Sequence, residues 1–201
     1  MKTLQHGVLF GLALLYFGGC SSGDTTGEAT STGDAATSST STGGTTDPAA
    51  CSRGTIEADF TTFDKLAGPG VDAATGELSP FPSTAVVSST YLALKGDPAA
   101  QKRFGELMGP LSKALQGQAG LLAVQLARSK SCDTARTLAV WKDEESPLGF
   151  VMSAPHAAAM ASVGDVSRGE SVVTSWETSD VEEATWASAA KRLSAQDGPY
   201  Y

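Results

Sequence analysis

Strand and helix patterns alternate along the second half of the chain. Residues 85–95 (AVVSSTYLALK) are rich in β-branched and aromatic residues, which favours a β-strand. After Asp97, a suitable helix cap, apolar residues recur at helical spacing and predict a helix that ends between Gly117 and Gly120. Pro110 is a candidate for a kink midway. The apolar stripe consists of Phe104, Leu107, Met108, Leu111 and Leu115.

Two further strand-like runs follow this helix. They are residues 121–128 (LLAVQLAR) and 134–142 (TARTLAVWK), and a polar link of hairpin size joins them. Acidic residues 143–145 then place negative charge at the start of a second helix, which Pro155 is expected to break or kink. Residues 169–178 (GESVVTSWET) predict a fourth strand.

The pattern ends in an amphipathic C-terminal helix within residues 179–201. Its predicted start matches a capping box at 179–182 (SDVE). The order from 85 to 178 is β-α-β-β-α-β, which predicts an α+β, ferredoxin-like fold with a four-stranded antiparallel sheet and helices on one face. Residues 51–84 contain GPG, DAATG and PFP, so we interpret them as a loop-rich extension without an assigned element. The apolar face of the last helix comprises Trp186, Ala189, Ala190 and Leu193.

The N-terminus follows a different pattern. Residues 7–19 (GVLFGLALLYFGG) are apolar or small, and Cys20 ends the run. Such a run is too short to span a bilayer comfortably and suits the core of a signal peptide at residues 1–19. Phe17-Gly18-Gly19-Cys20 resembles the lipobox of bacterial lipoproteins, although leucine is usual where Phe17 stands. That resemblance implies cleavage before Cys20 and its acylation, with palmitate among the chains; an ordinary secretory peptide is the alternative.

A low-complexity segment separates this N-terminus from the folded part. Residues 20–50 are rich in Ser, Thr and Gly. After Cys20, their apolar residues are Ala and a single Pro. They cannot bury enough surface to offset the entropy of ordering, so we predict a disordered tether. Lipid at Cys20 and this tether together predict membrane attachment in the bacterial cell envelope, at the outer membrane or cell surface.

Composition and cysteine usage narrow the classes of function. The 201 residues include 14 Lys and Arg against 22 Asp and Glu, so nothing favours nucleic acid as a partner. The sequence has no P-loop, no CxxC and no GxSxG. If Cys20 is acylated, Cys51 and Cys132 remain in an oxidising compartment, where paired cysteines are commoner than free ones. We predict a disulfide between them; the alternative is a free, buried Cys132.

The stretch 137–160 (TLAVWKDEESPLGFVMSAPHAAAM) resembles the antibiotic-biosynthesis-monooxygenase superfamily, the dimeric α+β barrels. The resemblance covers roughly residues 85–178. It implies a homodimer whose two sheets pack face to face, with any ligand cavity between the sheet and the helices of each subunit. The matching positions are Thr137, Leu138, Val140, Trp141, Asp143, Glu144, Phe150, Val151, Ser153, His156 and Met160.

The catalytic residues that the resemblance implies are missing. Cofactor-free and haem-degrading members rely on Asn and Trp, supported by Tyr or His, yet this sequence contains no asparagine. Where the haem degraders keep a ligand His and a Trp, this chain has Met160 and Phe150. We therefore expect no cofactor, and a domain that binds a small apolar or aromatic ligand without the known catalytic residues. The alternatives are a divergent cofactor-free monooxygenase acting on a small aromatic compound and a protein-interaction module of the envelope.

Five side chains are candidates for lining a ligand pocket. Their apolar bodies and polar tips suit an aromatic ligand, although the same residues often form a core or a dimer interface. His156 is also a weak catalytic candidate, because imidazole titrates near neutrality. The simpler interpretation places it in the first helical turn after Ser153, and a single histidine does not make a metal site. The five candidates are Tyr91, Trp141, Phe150, His156 and Trp176.

Charged residues are interpreted as structural. Arg136 lies within a predicted strand and is expected to project to solvent; pairing with an anion is the alternative. An acidic cluster near the C-terminus lacks the spacing of a calcium loop, so favourable charge at a helix start explains it better. No metal site is therefore predicted. The cluster consists of Glu177, Asp180, Glu182 and Glu183.

Overall fold

A computed structural model of the protein describes residues 51–63 and 65–201. The signal peptide, the lipid site at Cys20 and the tether, all predicted within residues 1–50, lie outside the described residues. Among the helices of the described ranges, none is long and apolar enough to cross a membrane.

The described residues form one antiparallel sheet, whose strands lie in the order β1-β3-β4-β2-β5. The strands are β1 (Thr61–Thr62), β2 (Ala85–Ala93), β3 (Leu121–Ser129), β4 (Thr134–Trp141) and β5 (Val172–Thr178). The helices are α1 (Pro98–Gln116), α2 (Ser146–Val151), α3 (Ala154–Ala161), α4 (Val163–Val166) and α5 (Trp186–Ser194). The predicted α+β, ferredoxin-like order is confirmed, and β1 is an added edge strand.

Helix α1 forms where the sequence predicts it. The Asp97 carboxylate accepts a hydrogen bond from the Ala100 N–H at 2.9 Å, which caps the first turn. Four apolar side chains spaced along one side of the helix are buried against the sheet, and Pro110 lies inside the helix without ending it. The buried side chains are Phe104, Met108, Leu111 and Leu115.

The predicted break in the second helix is confirmed. Helix α2 ends at Val151, and α3 begins at Ala154 with Ser153 as its N-cap. The Ser153 hydroxyl accepts the His156 N–H at 3.4 Å. Before α2, the Asp143 carboxylate accepts the Ser146 N–H at 2.9 Å, while the N-cap residue Glu145 makes no side-chain cap bond.

The capping box predicted at 179–182 is wrong. The Asp180 carboxylate accepts the Glu182 N–H at 3.0 Å and forms only a short 3₁₀ turn at Val181–Glu183. Helix α5 starts later, at Trp186, where the Thr185 hydroxyl accepts the Ser188 N–H at 3.2 Å. Asp180 favours a local side-chain to backbone bond, which competes with continued helix.

The sheet is covered on both faces. Helices α1 to α4 cover one, the helix face, and residues 51–84 with α5 cover the other, the capped face. The capped face contains the apolar residues Val87, Leu138, Val140 and Trp176 of the sheet, packed with Leu66, Leu78 and Phe81 of the N-terminal segment and Ala189 of α5. The sequence predicts helices on one face only, so this second cover is a finding of the structure.

Candidate functional site

An apolar cavity lies on the helix face, between strands β2 and β5 and helices α1, α3 and α4. Its walls include Leu92 and Val173 from the sheet and Met108, Ala159 and Met160 from the helices. The volume is about 50 Å³. Pockets that hold small organic ligands measure about 300–1,000 Å³, so in this conformation the cavity has room for water but not for an aromatic compound.

Residue Tyr201 forms part of the cavity wall beside the start of β5. Its N–H donates to the Ser171 carbonyl at 2.9 Å, and its main-chain oxygen accepts the Ser171 N–H at 3.1 Å. The Ser167 hydroxyl donates to the same main-chain oxygen. Burial raises the pKa of the Tyr201 hydroxyl, as expected for a ring drawn partly out of water.

The five predicted pocket residues do not meet at one site. Tyr91 belongs to the described lining of the cavity, whereas the other four are absent from that lining. Trp141 and Phe150 are buried in the core of the helix face, and Trp176 lies on the capped face, where the Arg192 guanidinium sits 4.7 Å from the ring centre.

The ring of His156 is enclosed. The residue is 2% exposed, and its ring packs edge to face against Phe150 with 5.0 Å between ring centres. Burial lowers the pKa of His156, opposed by a hydrogen bond to the backbone of Val151. Its Nε2 has no hydrogen-bond partner among the described residues. The imidazole is therefore favoured in its neutral form, one turn away from the cavity residue Ala159.

Trp141 and Tyr91 both use their polar tips within the fold. The Trp141 indole N–H donates to the Ser88 hydroxyl at 2.9 Å. The Tyr91 hydroxyl donates to the Cys51 carbonyl at 2.7 Å, and burial raises its pKa. The indole N–H and the phenol hydroxyl are thus both used in hydrogen bonds within the fold, and neither is free to bind a substrate.

The expectation that Arg136 projects to solvent is wrong. The residue is 1% exposed, and its Nη2 lies 2.8 Å from Glu57 Oε1. The same nitrogen donates to the Thr55 carbonyl at 2.8 Å, and the Thr134 hydroxyl donates to Glu57 at 2.8 Å. The guanidinium also lies 4.7 Å from the centre of the Tyr91 ring. Arg136 is buried because the N-terminal segment lies over this part of β4, which its position in the strand pattern alone does not indicate.

Two further connections hold the N-terminal segment to the hairpin between β3 and β4. The predicted disulfide is confirmed: Cys51 is bonded to Cys132, with their Cα atoms 5.3 Å apart. The Asp59 carboxylate accepts the N–H groups of Lys130 and Ser131, each at 2.9 Å, and a hydrogen bond from the Ser129 hydroxyl. These hydrogen bonds, first of all that from the Ser129 hydroxyl, hold the pKa of Asp59 well below its ordinary value.

The acidic residues near the C-terminus are used in local contacts. Asp180 caps its 3₁₀ turn, and Glu183 accepts from Arg192 at 3.0 Å. Within the part of the chain that the structure describes, no group of three or more His, Cys, Asp or Glu side chains is placed to hold a metal ion.

The capped face bears on the homodimer that the family resemblance implies. That dimer would place two sheets face to face, yet here residues of the same chain already cover the sheet. Leu193 of α5 is fully buried, packed with Tyr91 and Val172 of the sheet. A dimer formed through this surface would first have to displace α5 and the N-terminal segment.

Comparisons with known proteins give structural neighbours only. No family model matches the sequence, and no curated protein matches it. A conserved protein from Methanosarcina mazei is 16% identical, with 47% of this chain and 92% of that chain covered and a TM-score of 0.42. A putative monooxygenase from Fusobacterium nucleatum is 16% identical, with 48% and 42% covered and a TM-score of 0.39. SnoaB, a cofactor-independent oxygenase from Streptomyces nogalater, is 12% identical, with 48% and 92% covered and a TM-score of 0.35.

Two of these neighbours are thus named as a putative monooxygenase and a cofactor-independent oxygenase. At such identities and TM-scores the likeness carries no conclusion about the activity of this chain, its substrates or its partners.

Proposed function

We propose that this chain is a lipid-anchored protein of the bacterial cell envelope whose domain, similar to the antibiotic-biosynthesis monooxygenases, binds a small apolar compound without transforming it. The observation that supports binding is the apolar cavity between the sheet and the helices, lined by residues such as Leu92, Met108 and Met160. A ligand enters this space only if the cavity opens, because its present volume of about 50 Å³ is too small.

The chemistry of the cavity argues against catalysis. Its ionisable lining residues in the described ranges are Tyr91 and Tyr201, but the Tyr91 hydroxyl is bonded to the Cys51 carbonyl on the capped face, away from the cavity. Burial raises the pKa of both hydroxyls. Both stay protonated near neutral pH, so neither is a base suited to take a proton from a substrate. His156, the remaining acid–base candidate, packs against Phe150 and lies outside the lining.

Blocking the cavity tests ligand binding. Ala159→Phe fills the space from α3, and Ala158→Phe is its matched control because Ala158 is exposed on the same helix. Titration of the full-length protein with N-phenyl-1-naphthylamine, an apolar fluorescent probe, should show saturable binding to the parent and to Ala158→Phe. Ala159→Phe should abolish it. Equal binding to both variants would exclude this cavity as the site.

The proposed anchor has support from the cysteines. Cys51 and Cys132 pair with each other, as is usual in an exported protein, which leaves Cys20 for acylation. Mass spectrometry of the mature N-terminus should find a diacylated Cys20 as the first residue. An unmodified Cys20, or cleavage elsewhere, would contradict the anchor and leave the cavity unaffected.

The homodimer expected from the resemblance is open to a direct test. Separating the capped face from its cover would expose Leu193 and the buried pair of Arg136 and Glu57. Because exposing that face costs these contacts, we expect sedimentation at micromolar concentration to show a monomer. A stable dimer would contradict this expectation and would require a surface other than the capped face.

A further inference from the structure

The wall of the cavity on the helix face includes a residue from the end of the described chain, Tyr201. Tyr201 lines the cavity and is held by its backbone to Ser171, the residue just before β5. Strand β5 is the last strand of the sheet on that side, so in the described structure this one residue continues the pairing beyond the edge. A single pair of backbone hydrogen bonds is a weak attachment compared with the ladders inside the sheet.

Two hydrogen-bond donors converge on one oxygen at this place. The Ser171 N–H lies 3.1 Å from the Tyr201 main-chain oxygen, and the Ser167 hydroxyl donates to it as well. Both serines are buried, at 5% exposure for Ser167 and 4% for Ser171. A buried donor that loses its acceptor raises the free energy of the protein unless another acceptor takes its place.

The same two serines are fixed by other bonds. The hydroxyls of Ser167 and Ser171 lie 2.7 Å apart, and the Ser171 hydroxyl accepts the Ala93 N–H at 3.0 Å. The Gly169 N–H donates to the Ser167 hydroxyl at 3.1 Å. The pair of donors is therefore positioned by the fold and does not depend on Tyr201 to hold it in place.

We propose that Tyr201 occupies the position of a ligand, and that the ligand is an apolar compound with a carboxylate or carbonyl oxygen at one end. This inference rests on the proposed ligand-binding function and names its ligand class. On binding, the Tyr201 ring leaves the cavity wall, and the ligand oxygen accepts the bonds of Ser167 and Ser171 that the Tyr201 main chain gives up. The apolar body of the ligand lies against Met108 and Met160.

The negative net charge of the protein allows a carboxylate ligand to be distinguished from unspecific binding. The chain carries a formal net charge of −8, which disfavours anions and favours cations wherever binding is unspecific. A carboxylate that binds more tightly than an amine with the same apolar body must therefore be recognised by local donors. The compounds 4-phenylbutyrate and 4-phenylbutylamine form such a pair.

The experiment compares these two compounds on four forms of the full-length protein by isothermal titration calorimetry. The forms are the parent, Tyr201→Ala, a deletion of residues 199–201, and the control Tyr200→Ala. Tyr200 is 44% exposed, and its ring lies over Arg53, outside the cavity. Circular dichroism establishes that each form is folded.

Removing the competing residue should raise the apparent affinity, because the open state no longer has to be populated against Tyr201. We expect the deletion, which removes both the ring and the main-chain oxygen of Tyr201, to bind 4-phenylbutyrate about tenfold or more tightly than the parent, and Tyr200→Ala to match the parent. Tyr201→Ala removes the ring but keeps a main-chain oxygen at the two serines, so it should gain less. The amine should gain much less. Adding Ser167→Ala to the deletion removes one of the two donors and should reduce the preference for the carboxylate.

Each other outcome contradicts a definite part of the proposal. If the probe N-phenyl-1-naphthylamine binds in the cavity but neither Tyr201 variant gains affinity, Tyr201 is no competitor and the proposed function stands. If the amine gains as much as the carboxylate, the ligand class is wrong. If no form binds the probe or either compound, the proposed function fails together with the inference.

Discussion

The two faces of this sheet are covered in different ways. On the helix face, regular helices bring apolar stripes such as Phe104, Met108 and Leu111 onto the strands. On the capped face, a segment with little regular structure is held by a buried ion pair and a disulfide, whose partners are 79 and 81 residues apart in sequence. The helix face therefore depends on apolar packing in regular elements, whereas the capped face combines apolar packing with a few specific long-range bonds.

This difference affects where the molecule is vulnerable. Apolar packing is distributed over many side chains, so each loss is partial. A buried charge that loses its partner is left uncompensated, because no neighbouring contact replaces the ion pair. The capped face should therefore respond more sharply than the helix face to single changes at its polar groups.

The largest effect is expected at Arg136. Arg136→Ala leaves Glu57, whose side chain is 1% exposed, buried without its counter-ion, and should lower the free energy of unfolding by about 3–5 kcal/mol. Urea denaturation measures the change. The control Arg192→Ala removes a surface pair with Glu183 and should cost at most about 1 kcal/mol. Similar losses in both variants would remove the distinction drawn for the capped face.

The disulfide should give the next largest effect. Replacing both Cys51 and Cys132 with Ser should lower the free energy of unfolding by about 2–4 kcal/mol, because the unfolded chain is no longer constrained. Limited proteolysis should then cut first within residues 51–84. Reduction of the parent protein serves as the control and should reproduce the loss. First cuts in α1 or α3 would show that the helix face is the weaker cover.

Mild acid should act on the helix face through His156. Burial lowers its pKa below the ordinary value of 6.5, so the unfolded chain takes up a proton at a higher pH than the folded protein does. The stability that neutral His156 contributes is complete above about pH 6.5 and is lost as the pH falls through that value toward the folded pKa. The urea midpoint of the parent should fall between pH 7 and about pH 5, and that of His156→Gln should fall less. Parallel curves would show that His156 is not desolvated.

Stronger acid should act on the capped face through Asp59, with the smallest effect because this residue is exposed. Its hydrogen bonds lower the pKa below the ordinary value of 3.8, so the contribution is present above that pH and is lost as the pH falls further, through the folded pKa. Asp59→Asn should flatten the decline in the urea midpoint below about pH 4. An unchanged slope would show that the carboxylate contributes nothing to holding the hairpin.

The sequence predicts the helix face well because its signals are local. Asp97 before a helical stripe and Ser153 before Pro155 each determine a boundary within a few residues of chain. The capping-box prediction at 179–182 is wrong because another local bond competes with it. The Asp180 carboxylate accepts the Glu182 N–H in a 3₁₀ turn, and the helical hydrogen bonds do not continue from there.

The capped face and the cavity are less predictable. Strand alternation groups Val87 with Trp176, which are paired across the sheet, but it does not say what covers them. Glu57, the partner of Arg136, lies in a segment without periodicity. Tyr201 lines the cavity through contacts across the chain from a tail that has no pattern of its own. Within the N-terminal segment, the cysteine pair carries the clearest sequence signal, because chemistry and compartment limit the partners of a thiol.

The bond between Cys51 and Cys132 also determines how mechanical load enters the domain. A pull transmitted along the residues before Cys51 passes through the sulfur atoms into the hairpin that joins β3 and β4, two strands paired from the hairpin to Ala123 without a break. Residues 52–84 lie beside this route and carry little of the tension. Under load the N-terminal segment is therefore protected from being peeled off the sheet, and the force meets two central strands held by many backbone hydrogen bonds.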